Sequence, residues 1–215
     1  MRYFKFLFLF IAFHIYGQNI IGFNDAEVNE LSAFDLEFNL TNTEGVKALQ
    51  FDIPLNNSAI DLLSGHQLSE RASGFSISVS LVNQSSLRVV LFSVNGSVIN
   101  SGSGELFKLK LKSKTLPGTY NINISNEVVS GVNGSSLAFE KSSSSIIVKG
   151  AHFNLVTTSL NFGRVPIGNQ ATGSITISNS GNEPLIISST NIIAPFNILT
   201  ELPLTINANS SSNLS

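Results

Sequence analysis

The stretch Gly104-Glu105-Leu106-Phe107-Lys108-Leu109-Lys110-Leu111-Lys112 decides the fold class of this chain. In its second half, Phe107, Leu109 and Leu111 alternate with three lysines. Successive side chains of a β-strand point to opposite faces, so the alternation predicts a strand with one buried face and one face in water. Antiparallel sheets have this pattern, because one of their faces packs on a core while the other is solvated.

The composition of the chain suits a β-sandwich. Of its 215 residues, 42% are apolar and only 12% are charged, and there is no Cys and no Trp. The apolar content is sufficient for one or two cores, and a chain without cysteine has no disulfide, no thiolate nucleophile and no thiolate metal site. The formal net charge is −2, and neither positive nor negative residues are concentrated in the sequence. We therefore expect neither nucleic acid nor an acidic membrane surface as the partner.

Residues 1–17 have the pattern of a secretory signal peptide. Arg2 and Lys5 precede an uninterrupted apolar run at 6–13, and the small residue Gly17 follows. A basic start, a short apolar run and a small residue before the cleavage point define such signals, and this run is short for a membrane span. We expect cleavage after Gly17 and a mature protein that is secreted or at the cell surface. A buried N-terminal strand or helix is the alternative.

Residues 19–150 consist of short alternating segments separated by turn residues. No stretch keeps helical spacing over the length that a helix needs. Pro54 lacks an N–H and therefore marks a strand end or a sheet edge. Short strands at regular spacing with turn chemistry between them predict a β-sandwich. The predicted strands lie at 34–40, 46–55, 59–63, 75–81, 87–94, 104–112, 119–124, 128–129, 137–139 and 146–148.

Four segments of this region combine strand patterns with turn residues: Val46-Lys47-Ala48-Leu49-Gln50-Phe51-Asp52-Ile53-Pro54, Ala59-Ile60-Asp61-Leu62, Gly104-Glu105-Leu106-Phe107-Lys108-Leu109-Lys110-Leu111 and Pro117-Gly118-Thr119-Tyr120. They resemble the cohesin domain, the sandwich module of cellulosome scaffolds and bacterial surface proteins. The sequence departs from the family pattern where Ile53 separates Asp52 from Pro54. The resemblance implies a sandwich that binds a dockerin-like protein, and related sandwiches include carbohydrate-binding modules. Dockerin-contacting residues lie on variable surfaces, so no binding residue follows from the resemblance.

Residues 151–215 carry a second series of strand patterns, at 153–155, 174–179, 185–187 and 196–198. Two segments of it stand out: Leu160-Asn161-Phe162-Gly163-Arg164-Val165-Pro166-Ile167-Gly168 and Ile175-Thr176-Ile177-Ser178-Asn179-Ser180-Gly181-Asn182-Glu183-Pro184-Leu185-Ile186-Ile187. They resemble the ASPM/SPD-2/Hydin group of immunoglobulin-like domains, which also occurs in "choice-of-anchor D" repeats of bacterial surface proteins. An immunoglobulin-like sandwich needs roughly 100 residues, so we expect an incomplete domain, with 202–209 leading to a missing strand.

Together these patterns predict an all-β protein with two immunoglobulin-like or jelly-roll-type β-sandwich domains in tandem, the second incomplete. The signal peptide occupies residues 1–17, the cohesin-like sandwich 19–150, and the N-terminal part of the immunoglobulin-like domain 151–215. The serines at 142–145 precede another strand pattern and are interpreted as a turn, so the domain boundary is placed at Gly150-Ala151.

The histidines do not form a metal site or a catalytic site in the sequence. His14 lies in the signal peptide, while His66 and His152 lie in a predicted loop and at a predicted strand start, without metal-ligand spacing. We therefore expect no cofactor. Calcium held by loop oxygens is a possibility that the cohesin resemblance leaves open, and the sequence identifies no site for it.

The carboxylates predict no catalytic pair. A glycosidase needs two converging carboxylates, and the 14 acidic residues are scattered. Solvated strand faces account for Asp35, Glu37 and Asp52, and Asp61 is a candidate only by residue type. We expect no enzymatic activity.

A stripe of four lysines, Lys108, Lys110, Lys112 and Lys114, predicts a solvated sheet face that also discourages edge-to-edge pairing. Polyanion binding is the alternative. The sequence offers few exposed aromatic side chains on which a sugar could stack, because Trp is absent and the alternation pattern turns Tyr120 inward.

The leading hypothesis from the sequence is a non-enzymatic secreted or cell-surface module that binds a dockerin-like protein. The alternatives are a carbohydrate-binding module of a polysaccharide-degrading system and a structural spacer in a large surface adhesin. The identity of the ligand, the binding face and the oligomeric state do not follow from these patterns.

Overall fold

The computed structural model describes residues 18–83 and 85–215, and the predicted signal peptide lies outside them. Strands dominate this part of the chain, with one short 3-10 helix at Glu70–Ala72, so the all-β prediction is confirmed. Within the same residues, no helix has the length and hydropathy needed to cross a membrane.

The strands are β1 (Ile20–Phe23), β2 (Ala26–Asn29), β3 (Ala33–Asn42), β4 (Val46–Pro54), β5 (Ile60–Leu62), β6 (Gln67–Leu68), β7 (Ser76–Val82), β8 (Ser86–Phe92), β9 (Gly102–Ser113), β10 (Gly118–Ile122), β11 (Ser125–Gly131), β12 (Glu140–Lys141), β13 (Ser144–Lys149), β14 (Phe153–Leu155), β15 (Ile175–Asn179), β16 (Leu185–Ile187), β17 (Leu204–Ile206) and β18 (Ser210–Leu214).

The first thirteen strands form three sheets around one core. A six-stranded sheet has the order β12-β1-β3-β9-β5, and β6 also pairs with β9. A four-stranded sheet has the order β11-β4-β8-β7, and a three-stranded sheet the order β10-β13-β2. Strand β8 lies between β4 and β7. The arrangement is a β-sandwich whose large sheets pack on each other.

The pairing of β3 with β9 places the predicted alternation in register. Phe38 lies opposite Phe107 and Leu36 opposite Leu109, and all four side chains are buried. The register shifts by one residue after this Phe pair, because Leu106 is an extra residue in β9. This β-bulge lets Leu106 and Phe107 both enter the core.

Four phenylalanines join the sheets at the centre of the sandwich. Phe38 stacks on Phe107 with ring centroids 4.6 Å apart, and it stacks on Phe51 of the four-stranded sheet at 4.9 Å. Phe23 meets Phe38 edge-on at 5.1 Å. Such pairs add about 0.5–1.5 kcal/mol each beyond their buried area, so this cluster fixes how the sheets pack.

Arg71, in the 3-10 helix, closes one end of the sandwich. Its guanidinium donates to the backbone carbonyls of Leu40 at 2.6 Å and Gly102 at 2.8 Å, and to the side-chain oxygen of Asn42. It also reaches the carbonyl of Gly104 at 3.2 Å. One side chain thereby holds the ends of β3 and β9 together.

The last five strands surround a second, smaller core of Ile177, Ile206 and Leu214. They form a three-stranded sheet, β14-β15-β18, and the two-stranded pair β16-β17. Asn179 is 1% exposed and joins these sheets. Its amide donates to the carbonyls of Glu183, Ile206 and Asn207, while its oxygen accepts from the backbone N–H of His152 and Gly181.

We call the part of the chain that contains β14 to β18 the second unit. Its residues form hydrogen bonds with the segment at the predicted domain boundary. The Asn182 side chain accepts from the Gly150 N–H at 3.0 Å and donates to the Val148 carbonyl at 2.9 Å. A Cβ on Gly181 would lie 2.3 Å from the Gly150 carbonyl oxygen, so only glycine lets this turn approach the chain so closely.

Several strand predictions are wrong. Residues 137–139 pack on the core without forming a strand, and the Phe196 N–H bonds to the Ile193 carbonyl in a turn, so 196–198 is not a strand. The segment 202–209 contains β17 and leads into β18, which is present and pairs with β15. Strand β18 was not predicted, because its serine-rich sequence lacks apolar alternation. Strands β1 and β2 were not predicted either.

Candidate functional site

The two large sheets of the sandwich present outer faces of different chemistry. On the six-stranded sheet, Lys108 and Lys110 of β9 lie opposite Glu37 and Asp35 of β3, and we call the outer surface around these residues the lysine face. On the four-stranded sheet, the outward side chains are mostly small, apolar or neutral, and we call this surface the neutral face. Its residues are Ala48, Gln50 and Asp52 of β4, Arg88, Val90 and Phe92 of β8, Ser76, Ser78 and Ser80 of β7, and Val128 and Ser130 of β11.

Ion pairs cover much of the lysine face. Lys108 binds Glu37 at 2.8 Å, and Lys110 lies 3.7 Å from Asp35 on the neighbouring strand. The hydrogen bond from Lys108 lowers the pKa of Glu37, and the same contact raises the pKa of Lys108. These pairs confirm the prediction of a solvated face.

The suggested role of the lysines in protecting a sheet edge is wrong. Strand β9 is an interior strand, with β3 on one side and β5 and β6 on the other. Lys114, beyond the end of β9, pairs with Asp61 at 2.7 Å. Lys108, Lys110 and Lys114 therefore neutralise acids on neighbouring strands, and the lysines of β9 do not guard an edge.

Rows of side chains run straight across the neutral face. In one row, Val128 lies opposite Gln50, Gln50 opposite Val90, and Val90 opposite Ser78. Val128 is 56% exposed and Phe92, in the next row, is 37% exposed. The face thus offers apolar side chains, a flexible amide and hydroxyls, which suits contact with another protein, because interface cores are depleted of charged groups.

Asp52 and Arg88 form the one ion pair of the neutral face. The guanidinium donates to both carboxylate oxygens, at 2.8 and 2.9 Å, and the Asn126 amide donates a third hydrogen bond at 2.9 Å. These bonds, chiefly those from Arg88, lower the pKa of Asp52, while burial opposes them. Asp52 is only 6% exposed, so its prediction as a solvated carboxylate is wrong. The sequence places it on the outer face but does not show that neighbouring strands cover it.

His66 and His152, the histidines within the described residues, are placed as the sequence predicts. His66 lies in the loop before β6, where its Nδ1 accepts a hydrogen bond from the Lys110 backbone N–H at 3.2 Å, and burial lowers its pKa. His152 lies directly before β14. In the part of the chain that the structure describes, no three His, Asp or Glu side chains are grouped closely enough to hold a metal ion.

A cleft of about 370 Å³ lies beside β2 and β3 and is lined by acidic residues. Its carboxylates are engaged by neighbouring groups. Asp25 accepts hydrogen bonds from the backbone N–H and hydroxyl of Ser145, and Glu27 binds Lys149 at 2.8 Å. Glu37 accepts from Asn24 as well as Lys108. These contacts give the carboxylates of the cleft a structural role, in which they link neighbouring strands.

An apolar groove of about 590 Å³ opens in the second unit. Leu160, Phe162 and Val165, from the first of the two segments that resemble ASPM/SPD-2/Hydin domains, line it together with Phe196. The rings of Phe162 and Phe196 stack at 5.9 Å. Residues 160–168 form an irregular segment and contribute apolar side chains to this groove.

Tyr120, the tyrosine considered for sugar stacking, is turned inward as predicted. Its hydroxyl donates to the Leu116 carbonyl at 2.9 Å, and its ring packs against the main core. Burial raises its pKa. The aromatic side chain that the neutral face does offer is Phe92, at the end of β8.

Solved structures of cohesin modules share the fold of this chain. A non-cellulosomal cohesin from Archaeoglobus fulgidus matches with a TM-score of 0.53 at 14% identity, over 62% of this chain and 92% of that chain. A cohesin from Clostridium thermocellum, solved in complex with a dockerin, gives 0.54 at 12% identity over 61% and 99%. The cohesin module of a family 33 glycoside hydrolase from Clostridium perfringens gives 0.53 at 17% identity over 62% and 98%.

These similarities establish a cohesin-like β-sandwich and confirm that prediction of the fold. The matching structures cover 61–62% of this chain, which is close to the fraction of the chain that residues 19–150 make up. No family model matches the chain, and no curated protein matches it. The second resemblance, to ASPM/SPD-2/Hydin domains, stays a prediction for residues 151–215.

Proposed function

We propose that this chain is a non-enzymatic protein-binding module that takes a dockerin-like partner on the neutral face. The observation that carries the proposal is the contrast between the two sheets. On the lysine face, Lys108 and Lys110 are paired with acids of the neighbouring strand, whereas the neutral face exposes Val128 and Phe92 around Gln50 and Val90. The cohesin fold supports the choice of partner, since one matching cohesin was solved in complex with a dockerin.

The Asp52–Arg88 pair gives this face a polar anchor. The Arg88 side chain is 38% exposed, while the Asp52 side chain is 8% exposed. Arginine is enriched among the residues that contribute most to binding energy, because it combines a flat apolar surface with several donors. A partner that supplies carbonyl or carboxylate oxygens to Arg88 would gain directional hydrogen bonds within an otherwise neutral surface.

The state of the carboxylates supports a non-catalytic role. Asp52, Glu37 and Glu127 have lowered pKa values because Arg88, Lys108 and Lys141 donate hydrogen bonds to them. A general acid for glycoside hydrolysis needs the opposite, a raised pKa. The signal-peptide pattern of residues 1–17 supports secretion or display at the cell surface.

Capture from secreted proteins tests the proposed function. The purified full chain is immobilised and exposed to the secreted proteins of the source organism, and retention of the free chain on insoluble polysaccharide is measured in parallel. We expect capture of a dockerin-like protein and no retention on polysaccharide. Retention on polysaccharide without a protein partner favours the carbohydrate-binding alternative, and a negative result in both assays favours the spacer.

A further inference from the structure

Strand β7, Ser76–Val82, forms one edge of the four-stranded sheet. Among the described residues, β8 is the one strand that pairs with it. In an antiparallel pair, alternate residues direct their N–H and C=O groups away from the partner, so an edge strand presents a row of hydrogen-bonding groups to the outside. Seven residues span about 23 Å of such an edge.

The β7 edge has none of the features that usually prevent edge pairing. Its sequence, Ser-Ile-Ser-Val-Ser-Leu-Val, contains no charged residue, no proline and no glycine. Natural proteins protect exposed edges with charges, prolines, bulges or very short strands. The opposite edge of the same sheet, β11, is interrupted by two register shifts. In the six-stranded sheet, the edge strands β5 and β12 are short and charged.

The pattern of β7 is complementary to itself. Antiparallel pairing of two copies about Val79 sets Val79 opposite Val79 of the second copy, Ile77 opposite Leu81, and Ser78 opposite Ser80. Directly opposite side chains lie on the same face of a sheet, so apolar residues meet apolar residues and serines meet serines. Leu81 is 54% exposed, and Ile77 and Val79 are partly exposed. A second β7 would therefore cover apolar surface without bringing like charges together.

We propose that this chain forms a two-fold symmetric dimer by antiparallel pairing of β7 with β7 of a second copy. The pairing joins two four-stranded sheets into one continuous eight-stranded sheet, with about six to eight new backbone hydrogen bonds. One strand pair buries less surface than a standard interface, so we expect a dissociation constant on the order of 10–100 μM.

The dimer has a consequence for the neutral face. A two-fold axis perpendicular to the joined sheet keeps the outer faces of both copies on the same side. Two neutral faces then lie side by side, and a partner with two linked binding modules engages both with a gain from effective concentration. The dimer does not depend on the proposed function, because the two copies pair through the backbone N–H and C=O groups at the edge of β7.

Sedimentation equilibrium of the full chain, from about 1 to 500 μM, tests the dimer. The variant Ser78→Lys/Ser80→Lys places lysines opposite each other in the proposed pairing, and like charges directly opposite weaken a strand pair. Both serines are exposed, so the fold tolerates the change. We expect self-association at least tenfold weaker than in the unaltered chain. The control Ser125→Lys adds charge to the opposite edge strand, at another exposed serine, and leaves the dissociation constant unchanged.

A single cysteine tests the register. The chain has no Cys, so Val79→Cys introduces the one thiol. In the proposed register the two copies bring residue 79 within about 4.5–5.5 Å between Cα atoms, which a disulfide spans. We expect Val79→Cys to form a covalent dimer under mild oxidation and Ser80→Cys to do so far more slowly, because residue 80 lies opposite residue 78. Mixing Ser78→Cys with Ser80→Cys restores efficient cross-linking.

Three results would overturn the proposal. One is a chain that stays monomeric up to 500 μM and gives no cross-link at Val79. Another is self-association that the paired lysines leave intact. The third is a Ser80→Cys chain that cross-links with itself as fast as the Val79→Cys chain, since this contradicts the proposed register.

Discussion

Arg88 of β8 donates two hydrogen bonds, at 2.8 and 2.9 Å, to the carboxylate of Asp52 on the adjacent strand β4. The two residues are direct cross-strand partners, so the fork of the guanidinium fits the carboxylate without distorting the sheet. Asn126 adds a third donor from β11. This contact ties three strands of the neutral face together through one carboxylate.

The Asp52–Arg88 pair predicts a specific dependence of stability on pH. The hydrogen bonds hold the folded-state pKa of Asp52 below its ordinary value of 3.8. Its contribution is therefore complete above the unfolded-state pKa and is lost as the pH falls through the lower folded-state pKa. We expect the free energy of unfolding of the unaltered chain to exceed that of Asp52→Asn by a constant amount above about pH 5 and by a decreasing amount below pH 4.

Urea unfolding of both chains between pH 2.5 and 7 measures this difference. Comparing the two variants at each pH removes the contributions of Glu37 and Glu127, which share the depressed pKa but are present in both chains. A difference that does not change with pH would contradict the assigned role of the Asp52 carboxylate.

Arg71 predicts a stability loss that depends on the shape of its side chain. Replacing it with Met leaves the carbonyls of Leu40, Gly102 and Gly104 without their donor, and we expect a loss of about 3 kcal/mol in urea unfolding. Lysine keeps the charge but has no planar fork, so Arg71→Lys should lose about half as much. Arg164→Met, on an exposed side chain, is the matched control and should change stability by less than about 0.5 kcal/mol. Equal stability of Arg71→Met and the unaltered chain would contradict this role.

The hydrogen bonds of Asn179 lead us to expect that replacing its amide nitrogen with oxygen destabilises the second unit. In Asn179→Asp, an oxygen replaces the amide nitrogen that donates to three carbonyls, and a charge is placed at a site that is 1% exposed. We expect a loss of about 3 kcal/mol in the second unit, read from backbone amide exchange in β15 and β17. The same exchange at exposed Asn197 is the control. Unchanged protection in Asn179→Asp would show that the hydrogen bonds of Asn179 do not hold these sheets together.

Local alternation predicted the strands whose two faces differ most. In β9, Phe107, Leu109 and Leu111 are buried and the lysines are at the surface, as the pattern predicts. The apolar residues of β4 alternate in the same way, with Leu49, Phe51 and Ile53 inside. Such strands carry their structure in their own sequence, because burial of one face fixes which residues point inward.

Strands that depend on distant partners were missed or misplaced. Strand β1 pairs with β12, and β2 pairs in parallel with β13, more than 100 residues along the chain. No periodicity within four residues reveals such a partner. Asp52 shows the same limit at the level of one side chain, since its burial comes from Arg88 and Asn126 on neighbouring strands. The neutral face could not be predicted without the strand order, because it combines residues from four separate segments of the chain.

The most direct test of the account measures capture of the dockerin-like partner by two single-charge variants in parallel. Gln50→Lys adds a charge at the centre of the neutral face, and Ser103→Lys adds the same charge to β9 of the other sheet. Both positions lie on outer faces, so circular dichroism should show intact folds. We expect at least tenfold weaker capture by Gln50→Lys, because complex formation would bury an unpaired charge, and unchanged capture by Ser103→Lys. Capture that survives Gln50→Lys and fails with Ser103→Lys would contradict it.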